Sequence, residues 1–194
     1  FIHEQESALA TFFERGAEEV NRVKAQELDE IIARACPTLN AKQEHAIRTA
    51  LTQRISLISG GAGVGKSFCV SVIDSICETL ELKVALTAPT GKAAKRLEEL
   101  SGREARTIHR LLGYDGNAFT KGLDDPIDAD VLIVDEVSMV DVTLAWHLFQ
   151  AVDLSRTSVV LVGDHNQLPP VGPGNILRDL IQTRAVPTTI LDEC

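Results

Sequence analysis

The chain has 194 residues, a formal net charge of −9 and a hydrophobic fraction of 44%. This length accommodates one full domain with some additional chain, and the apolar fraction is ordinary for a globular protein. No run of about 18 apolar residues is present, which argues against a membrane-spanning helix, and the acidic balance provides no overall basic field for nucleic acid.

The first 36 residues carry no visible chemistry. Apolar positions recur among polar ones over residues 4–35, which predicts two helices interrupted near Gly16. We interpret residues 1–36 as a helical extension from an upstream domain, packed at the edge of the domain that follows. The chain begins without Met and shows no signal-peptide pattern, so we expect it to be part of a longer protein.

The main domain is expected to begin at Pro37 and to run to residue 194. Asn40 is a candidate N-cap for a helix whose apolar face lies within residues 46–51, with Gln43 at the third helical position. Gln43 has two interpretations. Its amide would complete a capping box, or it would grip the edge of an adenine base, since an amide both donates and accepts hydrogen bonds.

A glycine-rich stretch supplies the strongest signal in the chain. It reads Ser59, Gly60, Gly61, Ala62, Gly63, Val64, Gly65, Lys66, Ser67. The spacing G-x-x-x-x-G-K-S is that of the phosphate-binding loop of P-loop NTPases. Glycines let backbone N–H groups approach a triphosphate, the lysine adds a full positive charge, and the serine hydroxyl is a ligand for magnesium. The stretch therefore predicts an ATP site with Mg²⁺.

The flanking segments have the context that this motif requires. Residues 54–59 predict a short buried strand and residues 67–80 a helix. Cys69 and Cys77 on that helix are expected to be buried small hydrophobes, and the four cysteines, Cys36 and Cys194 included, match no zinc-binding spacing. Reduced thiols together with an ATP site favour a cytoplasmic location.

A second strand over residues 83–88 leads into a basic helix start. Pro89, Thr90, Gly91 and Lys92 are followed by two further cations within the next four residues. A helix N-terminus with lysine nearby suits a phosphodiester backbone. A solvated basic helix face is the alternative interpretation.

Residues 107–113 predict a short helix that stops at a glycine. His109 within it is either structural or a binding residue. The next segment, residues 114–120, has Asp-Gly between two arms that each carry an aromatic residue, which is typical of a hairpin. A surface loop is the alternative.

Two adjacent carboxylates end a buried strand over residues 130–136. Asp135 is expected to hold magnesium and Glu136 to polarise the attacking water, as in other NTPases. Met139, which follows, is expected to fill the core.

The remaining elements alternate in the same way. Helices are predicted over residues 143–152 and 175–182, with strands over 157–162 and 188–191. Trp146 is expected to pack in the core or an interface rather than to stack on a base. Gln167, after the 157–162 strand, is expected to contact the γ-phosphate or to stabilise a turn. Alternating strands and helices predict a mostly parallel sheet with ligands at the carboxyl ends of the strands.

Six motifs together resemble RecD-type DNA helicases of superfamily 1B. They are L-N-x-x-Q (39–43), S-G-G-A-G-V-G-K-S (59–67), A-P-T-G-K-A-A-K-R-L (88–97), T-I-H-R-L-L-G (107–113), D-E-V-S-M (135–139) and G-D-H-N-Q-L-P-P-V (163–171). The resemblance covers residues 37–194. It implies a three-layer α/β RecA-like P-loop NTPase domain with a mostly parallel sheet. It also favours placing the 157–162 strand between the P-loop strand and the strand of the two carboxylates.

The resemblance implies a role for each matched position. Gln43 would recognise adenine, Lys66 the terminal phosphates, and Ser67 and Asp135 the magnesium ion. Glu136 would be the catalytic base. Ala62 and Val64 stand where many relatives have Pro and Thr, but both positions act mainly through the backbone, so the ATP site is expected to survive.

The resemblance also implies partners. Gln167 would sense the γ-phosphate, and a small hairpin insertion around residues 113–127 would take the place of the pin that relatives use near duplex junctions. The single-stranded DNA track would be lined by Pro89, Thr90, Gly91, Lys92, Thr107 and His109. A second RecA-like domain with arginine fingers, and other recombination subunits, are the expected protein partners, and no membrane is.

The resemblance implies ATP-driven translocation on single-stranded DNA, in the 5′ to 3′ direction associated with this branch, in recombination or repair. Two alternatives remain. One is an NTP-binding scaffold without motor activity inside a recombination or conjugation complex. The other is a P-loop ATPase that is not a helicase, which would lack the A-P-T-G-K and H-R-L-L-G stretches.

Overall fold

One six-stranded parallel sheet organises the computed structural model, which describes residues 1–192. The strands are β1 (Ile55–Gly60), β2 (Val84–Ala88), β3 (Ala105–Thr107), β4 (Val131–Val134), β5 (Ser158–Gly163) and β6 (Thr188–Leu191). Their order in the sheet is β3-β2-β4-β5-β1-β6. The predicted position of β5 between β1 and β4 is therefore confirmed, as is the mostly parallel α/β fold.

Helices connect the strands and cover both faces of the sheet. Those of the described chain are α1 (Ile2–Arg15), α2 (Ala25–Ala35), α3 (Ala41–Thr52), α4 (Lys66–Thr79), α5 (Gly91–Ser101), α6 (Ile108–Leu111), α7 (Val142–Gln150) and α8 (Ile176–Thr183), with a 3₁₀ turn at Val137–Met139. None of these described helices is both long and apolar enough to cross a membrane.

The strands divide their side chains between two apolar layers. Along β1, Leu57 belongs to the layer under α7 and α8, whereas Ile58 belongs to the layer under α3 and α4. Val159 and Val160 of β5 alternate in the same way. This alternation follows from the two-residue period of a strand, and it explains why β1 and β5 are buried at every position.

The amino-terminal extension contributes to both layers. Leu9 and Phe13 of α1 are buried with Phe149 in the first layer, and Leu28 and Ile32 of α2 are buried in the second. We expected the extension to pack at the edge of the domain. Instead its two helices cover part of both faces of the sheet.

The segment between α1 and α2 crosses the amino-terminal side of the sheet. The amide of Val20 donates to the carbonyl of Thr52 at 2.6 Å, and the amide of Arg54 donates to the carbonyl of Glu18 at 2.8 Å. These bonds form a short antiparallel bridge with the residues that precede β1. The strand that leads to the glycine-rich loop is therefore tied to the extension at its start.

Three local features differ from the expectations. Residues 105–107 form an edge strand that was not predicted. Residues 114–120 form a turn rather than a paired hairpin, because the carboxylate of Asp115 accepts hydrogen bonds from the amides of Asn117 and Ala118 at 2.8 and 2.9 Å. The side chain of Met139 is 45% exposed and does not fill the core.

Candidate active site

Apart from Gln43, which lies in the first turn of α3, the candidate residues lie at or just after the carboxyl ends of parallel strands. In register, Ser59 of β1 lies beside Gly163 of β5, and Val134 of β4 lies beside Thr87 of β2. Ala88 of β2 in turn lies beside Thr107 of β3. Since ligands of such sheets bind at this edge, the fold brings all the predicted stretches to the place where a ligand is expected.

The glycine-rich loop connects β1 to α4 in the required geometry. Gly63 and Gly65 have φ angles of 81° and 94°, a region that favours glycine, and Gly65 is the N-cap of α4. A Cβ atom on Gly65 would lie 2.6 Å from Nε2 of Gln43, and one on Gly60 would lie 2.5 Å from the carbonyl oxygen of Leu191. Side chains at these two positions would therefore clash.

Lys66 holds its charge over this loop. Its Nζ donates hydrogen bonds to the carbonyl oxygens of Gly60 and Gly61 at 2.7 and 2.6 Å. Gly61 and Ala62 leave the loop partly open to solvent, and Val64 packs on the layer under α4. An ammonium group above a glycine-rich turn at a helix N-terminus fits a phosphate chain, so the residues present suit ATP.

Gln43 forms the predicted capping box. Oδ1 of Asn40 accepts from the amide of Gln43 at 2.9 Å, and Oε1 of Gln43 accepts from the amide of Asn40 at 3.2 Å. The same side chain lies beside Gly65, which places its amide nitrogen next to the phosphate-binding loop. Helix capping and an adenine contact are therefore compatible, and the adenine contact stays a prediction.

Asp135 is a half-buried carboxylate held by hydrogen bonds to its neighbours. Its amide donates to the carbonyl of Thr87 at 2.9 Å, and its Oδ1 accepts from the amide of Glu136 at 2.8 Å. Burial raises the pKa of Asp135 above its ordinary value, although the hydrogen bond from the Glu136 amide lowers it. The charge of Glu136 also raises this pKa, whereas the charges of Lys66 and Arg96 lower it. A cation bound here would offset this cost of burial.

Glu136 adopts an unusual backbone conformation. Its φ angle is 54°, in the left-handed region, although it is not a glycine. Such a conformation costs roughly 1–2 kcal/mol and is concentrated at functional sites. The strain turns the chain from β4 directly into the 3₁₀ turn.

The candidate magnesium ligands are few. The described residues contain no group of three or more His, Cys, Asp or Glu side chains arranged to hold a metal. The candidate magnesium ligands are thus the two that the sequence predicted, the hydroxyl of Ser67 and the carboxylate of Asp135. A short ligand set is compatible with Mg²⁺, which usually keeps several waters and is shared with substrate phosphates.

Side-chain hydrogen bonds connect the loops after β1, β4 and β5. Ser138 donates to Oε1 of Gln167 at 3.1 Å, and Oγ of Ser59 lies 2.9 Å from Nδ1 of His165. Gln167 is thus oriented from the β4 loop. Sequence reasoning assigned no role to Ser59, Ser138 or His165, because a single hydroxyl or imidazole has no diagnostic spacing.

The candidate DNA residues lie together on the β2 and β3 side of the sheet. Thr90 accepts from the amide of Ala93 and caps α5, and Thr107 accepts from the amide of Arg110 and caps α6, both at 3.2 Å. The segment from Pro89 to Lys92, which leads into the first turn of α5, is partly or fully exposed. Both helices therefore begin at the same carboxyl edge of the sheet, directly after β2 and β3.

His109 is exposed on α6 and contacts two aromatic rings. Its ring centroid lies 5.4 Å from that of Tyr114 and 5.7 Å from that of Phe119. The turn that replaced the predicted hairpin is therefore anchored on His109. This gives the histidine a structural contact, and its exposure leaves the DNA contact a prediction.

Comparison with known proteins identifies the family of the chain. A family model described as AAA domain matches residues 43–173. The ATP-dependent RecD2 DNA helicase of Deinococcus radiodurans is 43% identical over 155 residues, which are 80% of this chain and 21% of the relative. The RecBCD enzyme subunit RecD of Mycolicibacterium smegmatis is 36% identical over 167 residues, covering 73% of this chain and 30% of the relative.

A solved helicase structure is similar to this chain as well. The crystal structure of the Pif1 helicase from Candida albicans matches with a TM-score of 0.57 and 26% identity, covering 80% of this chain and 40% of that chain. This chain thus spans less than a third of the two curated relatives described. The family model and the six motifs cover nearly the same part of the chain, residues 43–173 and 39–171, and the chain belongs to the AAA domain family, in its RecD-type helicase branch.

Proposed function

We propose that this chain is the nucleotide-binding motor domain of an ATP-dependent DNA helicase. ATP hydrolysis would drive movement along single-stranded DNA, in the 5′ to 3′ direction, in recombination or repair. The observation that carries the proposal is the single carboxyl edge on which the phosphate-binding loop, the two carboxylates and the exposed Pro89–Lys92 segment lie side by side. The helicases among its relatives support the same assignment.

The side chains divide the work of phosphoryl transfer. Lys66 and the amides of its loop bind the phosphates, and Gln43 contacts the adenine. Glu136 orients the attacking water and accepts its proton, while Gln167, oriented by Ser138, contacts the γ-phosphate. Mg²⁺, held by Ser67 and Asp135 with substrate phosphates, would neutralise charge that develops during the transfer.

Full activity is expected to need a second motor domain. The resemblance implies arginine fingers on that domain, and such a residue contributes about 10³ to 10⁵ in rate in related reactions. We therefore expect the 194-residue chain alone to bind ATP weakly and to hydrolyse it very slowly. Rapid DNA-stimulated turnover by this chain alone would contradict the two-domain proposal.

The proposed DNA contacts use the exposed helix starts. Lys92 and the capped N-termini of α5 and α6 would bind the phosphodiester backbone, beside His109. The net charge of −9 makes a local site necessary, since the protein has no general attraction for DNA.

The test measures ATP hydrolysis by the full-length protein, with and without a thymidine oligonucleotide. Lys66→Ala should abolish turnover, and Lys92→Ala should raise the DNA concentration needed for half-maximal stimulation. Lys24→Ala, which removes an exposed lysine at the start of α2, is the matched control and should behave like wild type.

Displacement of streptavidin from biotin on either end of the oligonucleotide then reports movement. Faster displacement from the 3′ end supports 5′ to 3′ translocation. Nucleotide binding with no displacement from either end would instead favour the scaffold, and hydrolysis that ignores DNA would favour an ATPase that is not a helicase.

A further inference from the structure

We propose that Thr87 is a positioning residue that couples the DNA-binding edge to the catalytic carboxylates. The inference rests on the proposed function and identifies the route by which DNA would alter ATP hydrolysis. It starts from the position of β2, which lies between β4, the strand of Asp135, and β3, the strand that leads to His109. A residue on β2 is therefore in contact with both halves of the site.

The backbone of Thr87 is hydrogen-bonded to Asp135, the proposed magnesium ligand. Its carbonyl oxygen accepts a hydrogen bond from the amide of Asp135 at 2.9 Å. The amide of Glu136 in turn binds the carboxylate of Asp135. Displacement of Thr87 along the strand would therefore change the placement of both carboxylates.

The side chain of Thr87 is hydrogen-bonded to β3, the strand that leads to the proposed DNA-binding residues. Its hydroxyl donates to the carbonyl oxygen of Arg106 at 2.9 Å. Arg106 directly precedes Thr107, whose hydroxyl caps the helix that carries His109. The chain after Thr87 also leads within two residues to Pro89, so both proposed DNA segments begin beside this threonine.

The hydroxyl at this position is the unusual feature. Thr87 is 0% exposed, and valine has nearly the same shape and a similar preference for strands. Most buried hydroxyls in proteins are hydrogen-bonded, and this one is bonded to a three-residue edge strand that neighbours only β2 in the sheet. The bond therefore adds a side-chain link between the shortest described strand of the sheet and the strand next to Asp135.

The test compares three variants of the full-length protein. Thr87→Val removes the hydroxyl and leaves the backbone bond to Asp135, whereas Thr87→Ser keeps a hydroxyl. Thr157→Val is the matched control, because Thr157 is also 0% exposed and its hydroxyl donates to the carbonyl of Ala129 at 2.6 Å. These two residues precede β5 and β4, at the amino-terminal ends of the strands and away from the proposed site. Each variant is assayed for ATP hydrolysis without DNA and with saturating thymidine oligonucleotide.

We expect the ratio of DNA-stimulated to basal hydrolysis to fall about three- to tenfold in Thr87→Val, the effect of one net hydrogen bond. Thr87→Ser and Thr157→Val should keep the wild-type ratio. An unchanged ratio in Thr87→Val, or an equal loss in Thr157→Val, overturns the coupling role while leaving the proposed function intact. A wild-type protein without DNA stimulation overturns the proposed function itself, and the coupling with it.

Discussion

The extension is predicted to be part of the folded core, and Phe13 provides the test. Phe13 is 4% exposed, and its ring lies 5.5 Å from that of Phe12 and 5.3 Å from that of Phe149, both edge-on. It thus links α1 to α7 within the first apolar layer. Phe13→Ala removes the ring and leaves a cavity between the two helices.

The expected cost is large relative to the stability of a domain. Replacing a buried phenylalanine by alanine destabilises proteins by about 3–5 kcal/mol. Typical domains have a free energy of unfolding of about 5–15 kcal/mol. For a chain of this size the loss should lower the melting temperature by roughly 6–20 °C, at about 2–4 °C for each kcal/mol.

Urea and thermal unfolding of the 194-residue chain, followed by circular dichroism, measure this cost. Phe1→Ala is the control, since Phe1 precedes the same helix but is 81% exposed and should change stability by no more than about 0.5 kcal/mol. A loss below about 1 kcal/mol for Phe13→Ala would refute the reasoning. It would show that α1 rests loosely on the domain, as expected of an element that belongs to a separate upstream unit.

Three further predictions concern the site and the thiols. Gly65→Ala should destabilise the protein by at least about 1 kcal/mol and weaken binding of a fluorescent ATP analogue, whereas Gly61→Ala, whose Cβ has ordinary space, should do neither. Glu136→Asn should stabilise the chain by up to about 1 kcal/mol, because asparagine tolerates a positive φ angle. Hydrolysis by the full-length protein should fall about 10²- to 10⁴-fold, because the catalytic carboxylate is lost. A destabilised variant would contradict the presence of backbone strain at Glu136. Burial raises the pKa of Cys69 to about 11 and that of Cys77 to about 12. Above about pH 8.5 the unfolded chain loses these thiol protons while the folded state retains them, so the free energy of unfolding should decrease as pH rises. Iodoacetamide should label both thiols only after unfolding, and rapid labelling of the native protein would contradict their burial.

The central part of the fold was predictable because each signal there was long and local. The glycine-rich loop has a fixed spacing, and the strands around it are short, mostly apolar runs between turn residues. The capping box at Asn40 and Gln43 depends on two side chains three positions apart, so it too is visible in sequence. These features need no knowledge of the rest of the chain.

The features that were missed depend on contacts between distant segments. Residues 105–107 form a strand because β2 offers an edge, and three residues are too few to show a period. The Asp-Gly pair suggested a hairpin, but the Asp115 carboxylate satisfies the local amides and the aromatic rings pack on His109 instead of across strands. Nothing local indicated that α1 and α2 would lie on different faces of the sheet.

The site was predicted residue by residue better than it was predicted as a network. The side-chain bond between Ser138 and Gln167 and the bonds of Thr87 join residues that are 19 to 48 positions apart in the chain. Each such residue is unremarkable in sequence and acquires its role only through strand order. The positive φ of Glu136 likewise has no sequence signal, because residues other than glycine adopt that conformation only uncommonly.

The strand order also has an electrostatic consequence. From β1 to β2 there are three strand intervals, since β5 and β4 lie between them, and at roughly 4.8 Å each they separate the two proposed anion sites by about 14 Å. This exceeds the Debye length of about 8 Å at physiological ionic strength. A triphosphate and a DNA backbone on the same edge would therefore be largely screened from each other's charge, so an acidic domain could bind both without strong repulsion, and any influence of one on the other would have to pass through the sheet.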